Sequence, residues 1–318
     1  IFNKFLFTYL LFIVICIISV FFAIDQNIAM SKVKTLTLIF LVMISLVNYI
    51  DTFEKLRKFI TYFVYSGFLA SIYILINSDF SQVTRYGSEL GNVNAIGMII
   101  GISVTFCFYL ILNERRYWYA LFLIIMIPTI LLTGSRKSIL FICINIILIG
   151  YFRNRKSFGN LFKTIIVTIL TLIIAYYLLF NIPLFYQIIG RRMENMFSFV
   201  SGKGTSEGSM NARAYMARVG YHMFKEKPFT GYGIDNYRVL FEGVPGGRKT
   251  YSHNNYIELM VDTGIFGVLI YYLTHVIILK DLFKITSDNE GKAICFAFIA
   301  IIISYIILSP SLIYYDSK

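Results

Sequence analysis

Residues 93–112 decide the class of fold: they read VNAIGMIIGISVTFCFYLIL, a run without a charged side chain. An α-helix rises about 1.5 Å per residue, so about 20 apolar residues cross the hydrocarbon core of a bilayer. This stretch therefore predicts a transmembrane helix. Comparable apolar runs recur on both sides of it, and the sequence as a whole predicts an all-α, polytopic membrane protein.

The apolar runs are separated by polar breaks, and they predict about nine transmembrane helices. The predicted spans lie near residues 5–24, 35–50, 59–77, 93–112, 117–133, 138–152, 164–182, 256–279 and 293–309. Residues 1–182 would carry helices one to seven, residues 183–255 one large loop, and residues 256–318 helices eight and nine. The chain opens with Ile1 rather than Met, which leaves the number of N-terminal helices open.

The composition of the chain agrees with a membrane protein. Hydrophobic residues make up 58% and charged residues only 14%, whereas soluble domains average about 25% charged residues. A soluble enzyme is nearly excluded. The four cysteines lie inside apolar runs and form no Cys-x-x-Cys pair, so they predict neither a disulfide framework nor a metal site.

The distribution of positive charge predicts the orientation of the helices. The net charge is +12, and basic residues cluster in four alternate loops: Lys55, Arg57 and Lys58; Arg115 and Arg116; Arg153, Arg155, Lys156 and Lys163; Lys280, Lys284 and Lys292. Cytoplasmic loops carry an excess of Lys and Arg. We therefore expect the N-terminus inside, the C-terminus outside, and the loops around Arg85, around Arg136 and at residues 183–255 on the outer face.

The large loop, residues 183–255, is basic although it is predicted to lie outside. Such a surface favours an anionic ligand, and a diphosphate attached to a lipid is a better candidate there than nucleic acid. Within it, residues 201–209 predict a flexible link. Residues 210–224 predict an amphipathic helix over the mouth of the bundle, capped by Ser209, with an apolar face of Met210, Ala214, Ala217 and Tyr221.

The most informative local motif is Ser252-His253-Asn254-Asn255-Tyr256, which leads into the eighth predicted helix. If Ser252 caps that helix, His253 lies in its first turn, where the helix dipole disfavours the imidazolium form. A neutral imidazole can accept the proton of a sugar hydroxyl as that hydroxyl attacks. The alternative is a histidine that only bonds loop carbonyls at the membrane interface.

Asn254, Glu258 and Asp262 follow one another at intervals of four residues and would line one stripe of the eighth helix. Ionisable groups at membrane depth are costly unless they are paired or hydrated, so this stripe is expected to face a cavity in the protein rather than lipid. The carboxylates either support catalysis or pair with loop arginines and fix the loop.

Arg136 lies in a short turn, Thr133-Gly134-Ser135-Arg136-Lys137-Ser138, that is predicted to face outside. A guanidinium binds phosphate oxygens in a bidentate way, although an arginine in this place also suits lipid headgroups. Arg191, Arg192 and Arg213 have the same two interpretations. The loops contain no Asp-x-Asp and no phosphate-binding glycine loop, which disfavours a metal-bound nucleotide-sugar site.

Three short segments, in this order, resemble the superfamily of O-antigen ligases and polysaccharide polymerases, which are membrane glycosyltransferases. They are Leu132-Thr133-Gly134-Ser135-Arg136, then Arg213 followed by Lys227-Pro228-Phe229-Thr230-Gly231-Tyr232-Gly233, and then His253-Asn254-Asn255-Tyr256 with Asp262-Thr263-Gly264-Ile265-Phe266-Gly267. The resemblance covers roughly residues 91–279, and the first three helices match only in hydropathy. It implies a GT-C-like arrangement of membrane helices with one large extracytoplasmic loop.

The resemblance implies transfer of a glycan from undecaprenyl diphosphate to an acceptor hydroxyl at the outer face of a bacterial plasma membrane, without a metal or a cofactor. Arginines would hold the diphosphate, and His253 would be the base. Arg136 and Arg213 match family positions, whereas Arg191 and Arg192 match only a general abundance of basic residues. The implied partners are a lipid-linked oligosaccharide donor and acceptor, membrane lipid, and a chain-length regulator or flippase.

The specific activity that we predict is that of a polymerase, which joins lipid-linked repeat units. Two alternatives remain open at this stage. One is a ligase that moves finished glycan to another acceptor. The other is a transporter or flippase, although transporters usually place charged or broken helices at the midplane and show a half-to-half repeat.

Overall fold

The computed structural model of the chain describes residues 3–81, 84–154, 181–200, 208–285 and 291–311, together with isolated positions between 159 and 180. Every regular element within these ranges is helical. The helices are α1 Lys4–Val20, α2 Gln26–Tyr49, α3 Phe53–Asn77, α4 Val93–Glu114, α5 Ala120–Leu132, α6 Arg136–Asn154, α7 Arg191–Val200, α8 Gly208–Glu226, α9 Tyr237–Glu242, α10 Asn255–Ile285 and α11 Lys292–Leu308.

Six of these helices are long and apolar enough to cross a membrane, and the protein is a multi-pass membrane protein. They are α2, α3, α4, α6, α10 and α11, the last with its continuation to Ser311. α1 and α5 are apolar but shorter. Most of the predicted seventh span, residues 164–182, lies outside the described residues. Six long spans in the described ranges are thus fewer than the predicted nine.

The start of the second helix differs from the predicted one because of a cap. Asp25 accepts hydrogen bonds from the amides of Asn27 and Ile28 through its side chain and starts α2 at Gln26, nine residues before the predicted span. A capping carboxylate satisfies amides that have no partner inside the helix. The hydropathy pattern missed this polar first part of α2, which includes Lys32 and Lys34.

The chain divides into two compact units. The first unit comprises residues 1–51, 206–281 and 307–318, and the second comprises residues 52–205 and 282–306. In the first unit, α1, α2 and α10 contribute to one apolar core that contains Leu6, Phe12, Leu36 and Leu259. The topological division into 1–182, 183–255 and 256–318 stays a prediction.

Helix α8 is amphipathic, but its buried face is not the predicted one. Ala212, Met216, Val219 and Met223 recur at helical spacing and pack against α9 and the start of α10, whereas Ala214 and Tyr221 are exposed. Gly220 permits this approach, since a Cβ there would lie 2.3 Å from the Ile257 side chain. The partner elements, which the local pattern does not reveal, select the face.

The start of α8 also differs from the prediction. The helix begins at Gly208, so Ser209 lies inside it rather than at its cap. Residues 201–207, which form most of the predicted flexible link, lie outside the described residues.

The second unit is built on close contacts between α3, α4, α5 and α6. A Cβ at Gly67 of α3 would lie 2.1 Å from the Ser103 hydroxyl oxygen, and one at Gly97 of α4 would lie 2.6 Å from that of Ser138. Apolar lipid offers no hydrophobic driving force for association between membrane helices, so their association depends on close packing. Small residues permit that packing because they let the backbones approach each other.

Helix α10 is broken at Gly264, where φ is 66° and ψ is −168°. The eighth predicted span, residues 256–279, is therefore interrupted by a non-helical residue. The loop Pro228–Gly233 fills the break: the Tyr232 amide donates to the Val261 carbonyl, and the Ile265 amide donates to the Pro228 carbonyl, each at 2.8 Å. These bonds satisfy backbone groups that a helix break in a membrane protein would otherwise leave exposed.

Candidate functional site

The segment Ser252-His253-Asn254, here called the histidine turn, precedes α10 in the first unit. Asn254, not Ser252, caps this helix: its side-chain oxygen accepts hydrogen bonds from the amides of Tyr256 at 3.0 Å and Ile257 at 3.3 Å. His253 therefore lies before the cap and outside the first helical turn, contrary to the prediction. Asparagine caps a helix as well as serine does, and the hydroxyl of Ser252 bonds the backbone of Asn254 instead.

The backbone of His253 adopts a left-handed conformation, with φ at 59°. Its side chain is half-buried, and its ring centroid lies 4.1 Å from that of Tyr251. A non-glycine residue rarely adopts this backbone region, and such residues concentrate at functional sites. The turn therefore presents the imidazole from a fixed and unusual backbone position.

Two buried carboxylates of α10 bind backbone amides. Glu258 is 1% exposed and accepts a hydrogen bond from the amide of Ser252 at 2.7 Å. Asp262 is 0% exposed and accepts three, from the amides of Asp235 at 2.7 Å, Asn236 at 3.1 Å and Tyr237 at 2.9 Å. Both side chains are buried inside the protein, and these hydrogen bonds hold main-chain amides of the neighbouring loops.

The three amides that Asp262 binds belong to the start of α9, so this carboxylate anchors the loop that leads into it. The loop has further anchors: Asp235 pairs with Lys32 of α2 at 3.4 Å and with Arg238. The side chain of Tyr237 is fully buried, and its hydroxyl donates to the Met216 carbonyl at 2.9 Å. Burial, and then the nearby carboxylates, raise the pKa of Tyr237, so the phenol stays protonated as a donor.

Arg213 lies on α8 in the same unit as the histidine turn. The side chain of Arg213 is half-buried. The preceding residue, Ala212, belongs to the face of α8 that packs against α9 and α10. The packing of α8 against α9 and α10 therefore fixes the helix that carries this guanidinium. The first unit contains five of the predicted site residues: Arg213, His253, Asn254, Glu258 and Asp262.

The second unit contains an arginine cluster around the turn that starts α6. Gly134 has a φ of 61°, and Arg136 is the first residue of the helix. The Nη1 of Arg136 donates to the Arg192 carbonyl at 2.8 Å, and the Nη1 of Arg192 donates to the Gly134 carbonyl at 2.7 Å. The structure therefore brings these two predicted residues together. Arg191 is exposed and starts α7.

Arg85 is a third member of this cluster, and the sequence did not single it out as a site residue. Its Nε donates to the Thr133 carbonyl at 2.8 Å, and its Nη2 donates to the Asn94 side-chain oxygen at 2.7 Å. A Cβ at Gly134 would make a tight contact of 3.2 Å with the side chain of Arg85, and the positive φ at this position also favours glycine. The available signal was a lone cation in a loop predicted to be external, and no spacing connects it to position 133.

The comparison with known families identifies the part of the chain that carries both features. Residues 121–272 match the family model Wzy_C, described as O-antigen ligase. This part of the chain, a little under half of its length, is similar to O-antigen ligases. The resemblance deduced from the sequence is confirmed, and the matched region includes the start of α6, the arginines of α7 and α8, and the histidine turn. A search of curated proteins found no match.

Members of the O-antigen ligase family are enzymes that transfer glycan from lipid-linked substrates. Among the described residues, no group of three or more His, Cys, Asp or Glu side chains could hold a metal ion. The candidate residues in the matched region include guanidinium groups, which bind anions, and an imidazole, which can transfer a proton.

Proposed function

We propose that the protein is a polysaccharide polymerase of the capsule or O-antigen type. It transfers a growing glycan from undecaprenyl diphosphate to a hydroxyl of a second lipid-linked repeat unit. The reaction takes place at the outer face of a bacterial plasma membrane, requires no metal, and uses the large loop, residues 183–255, on that face. Both substrates are attached to the same membrane, which limits the search of the two reacting groups to one plane.

In this proposal the arginines bind the diphosphate and stabilise it as the leaving group. Hydrogen bonds join Arg136 and Arg192 across the starts of α6 and α7, and Arg85 donates to the carbonyl of Thr133 in the turn before α6. Arg191 and Arg213 contribute further positive charge. A guanidinium placed where negative charge develops lowers the barrier more than it stabilises the bound substrate.

His253 is the proposed general base, which takes the proton from the attacking hydroxyl. The geometry of its turn supports this role, because Asn254 caps α10 and Glu258 holds the amide of Ser252. Asp262 supports the same helix and holds the start of α9. A base that is held rigidly before substrate binds loses little free energy to reorganisation.

The observation that carries the proposal is the O-antigen ligase match over residues 121–272, which includes both the turn that leads into Arg136 and the histidine turn. The description of the matched family as O-antigen ligase also favours a second candidate, a ligase that moves a finished glycan to a different acceptor. A flippase is disfavoured, since members of the family are glycan-transferring enzymes.

Reconstitution with a single substrate tests the proposal. Purified protein in liposomes receives one defined lipid-linked repeat unit, with EDTA present, and the products are separated by length. A polymerase makes a ladder from this substrate alone. A ligase makes product only after a separate acceptor is added, and a requirement for metal would be exposed by EDTA. No ladder without the acceptor contradicts the polymerase assignment.

A further inference from the structure

Glu258 lies one helical turn into α10 and reaches back toward the histidine turn. Its Oε2 accepts a hydrogen bond from the amide of Ser252 at 2.7 Å, and its side chain is 1% exposed. Ser252 is the residue immediately before His253. A buried carboxylate of α10 therefore holds the main chain of the segment that carries the imidazole.

The conformation of His253 requires such support. Its φ of 59° lies in the left-handed region, which a side chain with a Cβ rarely adopts. A residue stays in this region only where its surroundings hold it there. Glu258 binds the amide of Ser252, the residue before His253. The residue after it, Asn254, is held because its side chain caps α10.

We propose that Glu258 is a positioning residue for His253: its carboxylate oxygen holds the Ser252 amide and thereby sets the direction of the imidazole. The inference rests on the proposed function, in which His253 is the base. The positioning role requires an acceptor oxygen at residue 258, but it does not require a negative charge there.

A role of Glu258 as a proton acceptor in its own right would require the charge instead. Three substitutions separate the two requirements. Glu258→Gln keeps an acceptor oxygen at the same distance from the backbone, Glu258→Asp keeps the charge but withdraws it by one methylene, and Glu258→Met fills the space with neither.

The experiment measures kcat and KM of each variant with the defined lipid-linked repeat unit. A misplacement of about 1 Å at a catalytic group costs up to about 100-fold in rate. We expect kcat to fall about 100-fold for Glu258→Met and about 10-fold for Glu258→Asp, with KM unchanged, and to stay within about 3-fold for Glu258→Gln. Glu226→Met is the matched control, because Glu226 is held by the Tyr232 hydroxyl at 2.6 Å and is remote in sequence from the turn.

Carbethoxylation of histidine with diethyl pyrocarbonate gives a second readout that does not depend on turnover. Peptide mass spectrometry reports the rate at His253, with His222, which is exposed on α8, as the internal reference. We expect Glu258→Met to change the His253 rate at least about 3-fold while the His222 rate stays the same. If Glu258→Met does not accumulate in the membrane, Glu258→Asp takes its place in both assays.

Different results would overturn the positioning role of Glu258 and the proposed function. A wild-type kcat and a wild-type His253 modification rate in Glu258→Met, or in Glu258→Asp as its replacement, overturn the positioning role. So does a Glu258→Gln variant that is slower than Glu258→Asp, because that order indicates a need for charge. Full activity of His253→Ala overturns the proposed function, whatever the Glu258 variants do.

Discussion

The guanidinium of Arg136 donates a hydrogen bond to the main-chain carbonyl of Arg192, and the distance from Nη1 to the oxygen is 2.8 Å. The guanidinium of Arg192 in turn donates to the carbonyl of Gly134 at 2.7 Å. Arg136 thus binds the backbone of Arg192 itself, and Arg192 binds the backbone two residues before Arg136. A change at one of them is expected to displace both cations, so the two act as one unit.

The first prediction concerns this pair. Arg136→Lys is expected to reduce kcat/KM about 100-fold, because an ammonium cannot reproduce the forked geometry that holds both a carbonyl and a phosphate. Arg192→Lys is expected to do the same, and the double variant should be little worse than either single variant. Rates of ladder formation measure all three.

A matched control for the arginine pair lies at the other end of the same helix. Arg153 is in the last turn of α6, and Arg153→Lys should leave the rate within about 2-fold of wild type. Losses that multiply in the double variant would contradict a shared unit.

Asp262→Ala is predicted to destabilise the protein. The substitution removes the acceptor of three buried amides, at Asp235, Asn236 and Tyr237, and each buried donor left without a partner costs about 1–3 kcal/mol. Thermal unfolding in detergent should show a large drop in melting temperature, or no folded protein. Glu242→Ala is the control, since Glu242 is exposed at the end of α9. Equal melting temperatures for both variants would refute the anchoring role of Asp262.

Gly264→Ala is predicted to prevent the loop Pro228–Gly233 from filling the break in α10. A Cβ at Gly264 would lie 2.4 Å from the carbonyl oxygen of Phe229, and the backbone there, with φ at 66° and ψ at −168°, lies in a region that is essentially restricted to glycine. Gly246 has a similar φ of 72° and nothing within 4 Å of such a Cβ. Gly246→Ala adds a Cβ at a positive φ without a close contact, and we expect it to accumulate in the membrane better than Gly264→Ala does. If both accumulate equally, the close contact is unimportant.

The extent of the membrane helices could be predicted well where the sequence is uniformly apolar. α4 runs from Val93 to Glu114 against a predicted span of 93–112, because Asn92 caps its start and polar residues follow its end. The polar first part of α2 was missed for the converse reason: a cap, not hydropathy, sets that boundary.

The fine geometry of the site could not be predicted from local pattern. Ser252 and Asn254 are equally good caps, and the bond from the Ser252 amide to Glu258, six residues away, is tertiary information that propensity does not contain. The contact of Arg85 with the Thr133 carbonyl likewise joins segments 48 residues apart. The sequence did supply Arg136, Arg192 and His253 as residue types suited to anion binding and proton transfer.

Lys32→Met is predicted to lower the melting temperature. Lys32 is buried on α2 and pairs with Asp235, and removal of one partner of a buried ion pair leaves the other charge poorly compensated, at a cost of about 3–5 kcal/mol. The shared contact of Asp235 with Arg238 is expected to reduce this loss. Lys34→Met, at an exposed position of the same helix, is the comparison. A drop of equal size in Lys34→Met would show that the ion pair is not the cause.

The central claim is that His253 takes the proton from the attacking hydroxyl. Its most direct test is the length distribution of glycan made by purified His253→Ala protein in liposomes with one defined lipid-linked repeat unit, beside wild type and His222→Ala. The account predicts that wild type and His222→Ala make a ladder, and that His253→Ala is folded and membrane-inserted but makes none. A ladder of undiminished length and rate from His253→Ala would contradict it.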